Sequence, residues 1–377
     1  MILIAGAGIG GLTLAVALKR RGVPVTVLER EAESRPAGAG LALSPNAMVA
    51  LGHLGVGESV ERAGAVIAKS AILDSTGSPL GAEFDVGQLA KELGAPIVAL
   101  HRARLQEALL HAAGDGTVRT GVSAVRYESA ADHVTVVCSD GTTMRADLLV
   151  GADGLRSAIR AQLIGDGDPV YAGYTSWRGV TPAGAVPKPA RMSESWGHGE
   201  RFGIVEIGSD QIYWFAVANA PRGGRDEDVT RELLARFGGW HSPIATLIER
   251  TPAAAIVRTD ISDRRPVSRW HEQRVVLLGD AAHPMTPNLG QGAGQAIEDA
   301  AVLDRCLATT DTIDAALRRY ETLRVTRANS IVRGSRTLGA VGQLQHPIAV
   351  WMRNTVLRLT PASVGLNQAR KLMRFSP

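Results

Sequence analysis

Three short stretches hold the residues whose types and spacing could do chemistry. The first is Gly6-Ala7-Gly8-Ile9-Gly10-Gly11, a G-x-G-x-x-G run made by Gly6, Gly8 and Gly11. Its first glycine permits a tight turn, its second lets backbone amides approach a pyrophosphate, and its third lets a helix pack close to a strand. A helix that starts there turns its positive end toward phosphate charge. Glu29, followed by Arg30, lies about 20 residues further on, the spacing at which a carboxylate accepts from both ribose hydroxyls. Such an acid disfavours a 2′-phosphate. The stretch therefore points to NAD or FAD at this site rather than NADP. Alone, it is also compatible with a glycine-rich turn in an unrelated protein.

The second stretch, LLVGADGLRSAIR at 148–160, ends a buried strand and turns at Asp153-Gly154. Arg156 and Arg160 follow, each able to meet a phosphate or to be a plain helix-face arginine. The third, VVLLGDAAHPMTPNLGQG at 275–292, again ends a strand, at Gly279-Asp280, and leads through a Pro/Gly loop into a helix. Gly-Asp there is equally compatible with a turn that caps a helix. No G-x-S-x-G and no Cys/His arrangement supplies a nucleophile, and no His/Cys cluster supplies a metal site.

The elements that must position these stretches follow from periodicity. Residues 2–6 predict a buried strand, Gly10–Arg21 a helix stopped by Gly22, and Val25–Glu29 a second strand. This is a βαβ start. A glycine-rich and then helical segment spans 38–55, and an amphipathic helix spans 101–113. Val118–Tyr127 and Val134–Ser139 predict a hairpin, with Asp140-Gly141 as turn punctuation. From Gly165 to Trp270 the chain alternates in short, turn-broken runs that predict an antiparallel sheet. Five of the six tryptophans fall there (Trp177, Trp196, Trp214, Trp240, Trp270). They are candidate aromatic walls for a flat ligand, or core. Residues 274–280 return to the buried-strand type, and helices follow over 292–307 and 311–340. The first domain is therefore discontinuous, resumed after an inserted sheet.

Composition bounds the rest. A chain of 377 residues suits two domains. With 45% hydrophobic and 21% charged residues it has a soluble globular composition. The net charge of +4 and the absence of basic runs interleaved with aromatics exclude a nucleic-acid signature. Two unpatterned cysteines, Cys138 and Cys306, fit a reducing cytoplasm. The opening apolar segment lacks a basic leader and is interrupted by glycines, so it is not read as a signal peptide. The segment 343–377 carries Arg353, Arg358, Arg370, Lys371 and Arg374 without acids. It reads as helix closing over the domain, with membrane contact as the less favoured alternative.

The order of the three stretches, with HRARLQEALL between the first and second, resembles the flavoprotein monooxygenases of the aromatic-hydroxylase type over nearly the whole chain. The resemblance implies an α/β fold with a glutathione-reductase-type, Rossmann-like FAD-binding domain (1–70, 98–168 and 271–342). It implies an inserted antiparallel β-sheet substrate domain (71–97 and 169–270) and C-terminal helices (343–377). It implies FAD as the cofactor, with NADH or NADPH as a transient co-substrate. Arg102 would reach the ribityl-phosphate region and Asp280 a ribityl hydroxyl. Asp153 would lie near the pyrophosphate. Many members carry an acid where this chain has Arg104, so nothing is carried over there. In the loop from Pro284 to Gly292, which includes Pro287, the helix N-terminus with Gly290, Gln291 and Gly292 would face the flavin ring and stabilise its reduced, anionic form.

The resemblance further implies hydroxylation of an aromatic or heteroaromatic small molecule by O2 through a flavin hydroperoxide. Arg201 and Tyr213 match an arginine and a tyrosine of FAD-dependent urate hydroxylases, and YAGYTSWRGV resembles a strand of those enzymes and of zeaxanthin-epoxidase-like proteins. The urate hydroxylases carry an acid where this chain has Asn288, a departure that weakens the urate reading. Epoxidation or reduction of a lipophilic substrate, and ligand binding without turnover, are the alternatives. The chain is expected to be a cytoplasmic monomer or homodimer.

Overall fold

A computed structural model describes residues 1–32, 39–182, 184–189, 191–208 and 210–376. Gly38, at the head of the glycine-rich segment, lies outside the described residues.

Two sheets carry the chain. The first has six strands in the order His271–Glu272, Val275–Leu277, Leu148–Gly151, Ile2–Ala5, Val25–Glu29, Val118–Thr120. All but the short outermost His271–Glu272 run parallel. Ile2–Ala5 and Leu148–Gly151 bury every residue, as unbroken apolar runs do when both sheet faces are covered. The helix Ile9–Arg20 is buried continuously from Ile9 to Leu18, packed between this sheet and the helices Arg102–Ala113 and Gly292–Thr309. The turns after four neighbouring parallel strands therefore open on one edge of the sheet. These turns carry Gly6, Glu29, Asp153 and Asp280. That edge is where α/β sheets bind ligands.

The second sheet has seven strands in the order Val257–Asp263, Val170–Thr181, Ile212–Asn219, Glu200–Glu206, Met192–Trp196, Lys69–Asp74, Phe84–Asp85. It is antiparallel with one exception. Met192–Trp196 runs parallel to Lys69–Asp74, a strand from a distant part of the chain that no hairpin constrains. One face of the sheet packs Trp177, Phe202, Ile204 and Trp214 under the helices Val229–Phe237 and Ile244–Arg250, with Phe202 and Trp214 stacked at 5.4 Å. Trp240 meets Phe237 edge-on. Trp270 belongs to the core of the first domain, against His283 and Tyr320. These tryptophans are core and do not form walls for a ligand.

The hairpin expected from Val118–Tyr127 divides instead. Val118–Thr120 joins the parallel sheet, and Gly121, at φ +74°, turns the chain out of it. Ala124–Ser129 then pairs with Val134–Cys138 in a separate three-stranded sheet. The single run of β-formers concealed a change of sheet that only the left-handed glycine permits.

A buried ion network fastens the loop after Val275–Leu277. Asp299 accepts from the Gly279 amide at 2.9 Å, from His283 Nε2 at 2.6 Å and from Arg324 Nε at 2.7 Å. Glu298 beside it pairs with Arg324 and, at 2.7 Å, with Arg327, and accepts from Asn46 at 2.7 Å. Burial raises the Asp299 carboxyl pKa, but the charges of His283 and Arg324 more than offset this and hold it at about 2. A carboxyl held below its unfolded value of about 3.9 stabilises the fold above that pH, and this stabilisation is lost as pH falls toward 2. Asp299→Asn should cost about 3–5 kcal/mol at neutral pH, because it breaks a buried pair. It should also flatten the pH dependence of the urea midpoint through this acid window. A midpoint equal to that of the wild type at both pH extremes would contradict the assignment.

Candidate functional site

The first turn is built around its glycines. Gly6 sits at φ +106°, and an added methyl would collide with the Ala152 carbonyl. A methyl on Gly11 would strike the Gly6 carbonyl, and one on Gly10 would press on Leu278 and Ala296. Gly8 differs: nothing lies within 4 Å of the position its methyl would take. It caps the helix Ile9–Arg20 without a side chain, so the helix N-terminus faces open space. Glu29 is half-buried beside this turn, accepting from the Ala7 amide at 2.9 Å and the Glu31 amide at 3.0 Å. Its oxygens keep further lone pairs for hydroxyl donors. Arg30 is exposed, 3.3 Å from Glu31.

Arg102 opens the helix Arg102–Ala113, where His101 Nδ1 caps the Ala103 amide at 3.2 Å. Its side chain is exposed, and its charge acts on Asp280. Arg104, two residues on, pairs on the surface with Glu107. Gln106, one helical turn after Arg102, donates to the Ala7 carbonyl at 3.2 Å and so ties this helix to the glycine turn. Nothing in the residues around Gln106 signals that contact.

Asp153 uses one carboxylate oxygen to cap the helix Ala158–Leu163, accepting from Ala158 at 2.7 Å and Ile159 at 3.3 Å. Its other oxygen is buried and has no partner among the described residues. Burial pushes this carboxyl up, against the hydrogen bonds it accepts. Arg160 is not a phosphate ligand. It is fully buried, donates to the Ala281 and Ala282 carbonyls at 2.9 and 2.7 Å, and spends its remaining nitrogens on Asp166. It is a strut between the second and third stretches. Arg156 is exposed.

Asp280 lies on the short turn Gly279–Ala281. Solvent reaches its carboxylate, yet surrounding protein is dense enough that burial raises its pKa, with His283 and Arg102 acting the other way. Both observations fit the floor of a crevice. The loop continues through the exposed Pro287 to Gly290, at φ +63° with nothing within 4 Å of an added methyl. Gln291 is buried and structural, donating to Ser44 at 3.1 Å and accepting from Asn46 at 3.0 Å. Gly292 opens the 18-residue helix Gly292–Thr309, and a methyl on it would lie 4.0 Å from Asp280. The structure thus gathers Asp280, Arg102 and a bare helix N-terminus.

Arg201 and Tyr213 share one face of the second sheet, on paired antiparallel strands. Arg201 is buried with every guanidinium nitrogen engaged: Glu194 at 3.0 Å, Gln343 at 2.8 Å and Asn288 at 2.7 Å. The Asn288 amide nitrogen, with two N–H groups to give, lies 2.9 Å from each of three acceptors: the Tyr174 hydroxyl, Thr286 Oγ1 and the Ser335 carbonyl. Tyr213 packs over Gly40, where a side chain would overlap its ring. Burial raises its phenol pKa, and Arg178 opposes the shift. Arg178, in register with Phe215 on this face, makes no ion pair among the described residues. Sequence reasoning passed over Arg178. Its signal was alternation, since it falls in step with Val180 and Tyr174 on a strand whose other residues face the outer core.

Residues 1–335 match the family described as FAD binding domain. The chain belongs to this family. It is 48% identical over 377 residues to the aurachin C monooxygenase/isomerase of Stigmatella aurantiaca, covering 100% of this chain and 98% of that protein. It is 36% identical over 372 residues to the 2-heptyl-3-hydroxy-4(1H)-quinolone synthase of Pseudomonas aeruginosa, covering 96% and 94%. The Klebsiella pneumoniae HpxO structure complexed with FAD and uric acid aligns with a TM-score of 0.93 at 32% identity, covering 99% and 96%. The chain is an FAD-dependent monooxygenase, as its likeness to aromatic-hydroxylase-type flavoproteins implied.

The residues present fit FAD. The space at Gly8 suits a pyrophosphate on a helix N-terminus. The unpartnered Asp280 suits a polyol, and the open backbone at Gly290–Gly292 suits a flat ring. Gly8→Ala should leave the stability of the apoprotein unchanged and weaken FAD binding about tenfold, or about 1.4 kcal/mol. Gly11→Ala should destabilise the apoprotein itself. Thermal melts with and without FAD separate the two, and a Gly8→Ala protein that binds FAD like the wild type would contradict this placement.

Proposed function

We propose that the chain uses NAD(P)H and O2 to hydroxylate a quinolone-type heteroaromatic ring bearing an aliphatic substituent. The observation that carries this is the makeup of the sheet face turned toward the loop Pro287–Leu289. Around Tyr213 it is apolar (Phe215, Val217, Val205), and its buried cation Arg201 is already saturated by protein partners. Beside Tyr213 the face offers one further polar group, the Arg178 guanidinium, which is too few partners to satisfy a small, highly polar purine. A fused ring with one carbonyl and an apolar tail needs few. The name of the quinolone synthase relative points the same way.

Bound FAD supplies the redox and oxygen-transfer chemistry. The chain's own residues bind, orient and exclude water. Gly6, Gly10 and Gly11 shape the turn in which the amides at Gly8 would hold the pyrophosphate, and Glu29 would hold the adenosine ribose, with Arg30 at its rim. Arg102 and Asp280 fix the ribityl chain, and the free oxygen of Asp153 takes a donor from the dinucleotide groove. Gly290, Gln291 and Gly292 would present backbone to the flavin ring, and Pro287 would line the substrate side of that loop. Arg201 acts through Asn288 as a positioning residue for this loop. Tyr213, kept protonated by burial, donates to the substrate carbonyl, and Arg178 favours negative charge on that oxygen. Asn288 is an amide with all its hydrogen bonds made, so it removes no proton from a heterocycle. This separates the reading from urate hydroxylation.

Candidate phenols, 2-alkyl-4-quinolones and purines should be screened for stimulated NAD(P)H oxidation, with product mass. An alkylquinolone should stimulate it and gain one oxygen atom, and urate should not. Tyr213→Phe and Arg178→Ala should each raise KM about tenfold, the loss of one good hydrogen bond or charge contact. Turnover of urate in place of quinolones would overturn the substrate class. Unchanged kinetics in both variants would remove the two residues from the site.

A further inference from the structure

The helix Pro347–Leu359 presents its apolar face outward. Ile348, Trp351, Met352, Val356 and Leu359 recur at spacings of three and four and so share one face. They are 65%, 67%, 56%, 63% and 77% exposed. The helix has not simply rolled away from the body. Its opposite face buries Val350 and Arg353, and the Arg353 guanidinium donates to the Gly197 carbonyl at 2.9 Å and the Gly342 carbonyl at 3.2 Å while lying 5.3 Å from the Trp196 ring. A buried arginine thus clamps the helix with its greasy side in water. Contiguous exposed apolar surface of this kind marks a contact site.

Charge identifies what covers it. No Asp or Glu occurs after Glu321, whereas nine Lys and Arg do, which leaves the preceding 321 residues net acidic. Several of the nine are tied to acids elsewhere in the fold, among them Arg324, Arg327 and Arg336. Arg358 borders the apolar face, half-exposed and 3.2 Å from Asp74. Lys371 and Arg374, at the end of the next helix (Ala362–Met373), are exposed and make no ion pair among the described residues. A symmetric contact with a second copy would set this basic rim against itself. No helix is long and apolar enough to cross a membrane.

We infer that the helix Pro347–Leu359 lies on an anionic lipid surface, with its apolar face among the acyl chains and Arg358, Lys371 and Arg374 toward the headgroups. This holds whatever the ring substrate is. An apolar stripe carrying a tryptophan and bordered by cations has the makeup of an interfacial helix, here pre-formed by the clamp beneath it.

The test uses the full-length, FAD-loaded protein in co-sedimentation with phosphatidylcholine vesicles, with and without phosphatidylglycerol. Binding should be about tenfold tighter to the anionic vesicles and should weaken with salt. The triple variant Ile348→Ser/Trp351→Ser/Val356→Ser should lose about tenfold or more of that affinity. Its flavin spectrum and thermal midpoint should be retained, because these side chains touch solvent. Lys371→Glu/Arg374→Glu should lose the preference for anionic vesicles. Absence of sedimentation with either vesicle, or a triple variant that binds as well as the wild type, would overturn the inference. So would a wild-type dimer that binds no vesicles and that the triple variant dissociates, since the face would then belong to a second copy.

Discussion

The carboxylate of Asp299 is the point on which the site depends. It is completely buried, and an unpaired charge there would cost several kcal/mol. Three donors prevent that: the Gly279 amide, His283 and Arg324. Two of these belong to the loop that carries Asp280, and the third belongs to the 30-residue helix Ile313–Gly342. The charge can be kept only if loop and helix hold one geometry. Arg160 applies the same constraint from the other side, gripping the carbonyls of Ala281 and Ala282. The turn under the proposed flavin site is therefore set by the interior of the domain.

The long helix carries that order to the second sheet. Near its middle Arg324 belongs to the buried network. Further along, Arg336 pairs with Asp263 at 3.0 Å, and Gly342 at its end lies against Arg201. Arg201 then meets Asn288, which returns to the loop. A closed circuit of ion pairs and hydrogen bonds thus joins the loop, the helix and the sheet face bearing Tyr213. The proposed substrate face and cofactor loop are thereby fixed relative to each other, as transfer of a reactive oxygen to one ring position would require.

Much of this was legible in the sequence, and the reason is locality. The parallel strands are short unbroken apolar runs, and the glycine turn needs its glycines for contacts within a few residues. The order of the three stretches along the chain was enough to imply the family. Arg160 was open to a phosphate role because two of its partners, the Ala281 and Ala282 carbonyls, lie more than a hundred residues away and leave no mark in its own segment. Asp299 and Gln106 were silent for the same reason, since each takes its meaning from a non-local neighbour, whereas the alternation that marks Arg178 was present and passed over. Composition left the tryptophans open between ligand wall and core, since an aromatic-rich segment can serve the outer core of a sheet as readily as a ligand. The greasy face of the helix Pro347–Leu359 was written in its spacing, but which way that face points is decided by Arg353 and its clamp.

The separated stretches around Gly8, Asp280 and Gly290 are proposed to form one FAD site. A crystal structure of the FAD-loaded protein tests it most directly. It should place the pyrophosphate at the helix start beside Gly8, the ribityl chain against Asp280, and the isoalloxazine over Gly290–Gly292, with the Asp299 network unchanged from its ligand-free form. A flavin bound away from these residues, or a loop from Gly279 to Gly292 that rearranges to receive it, would contradict the account.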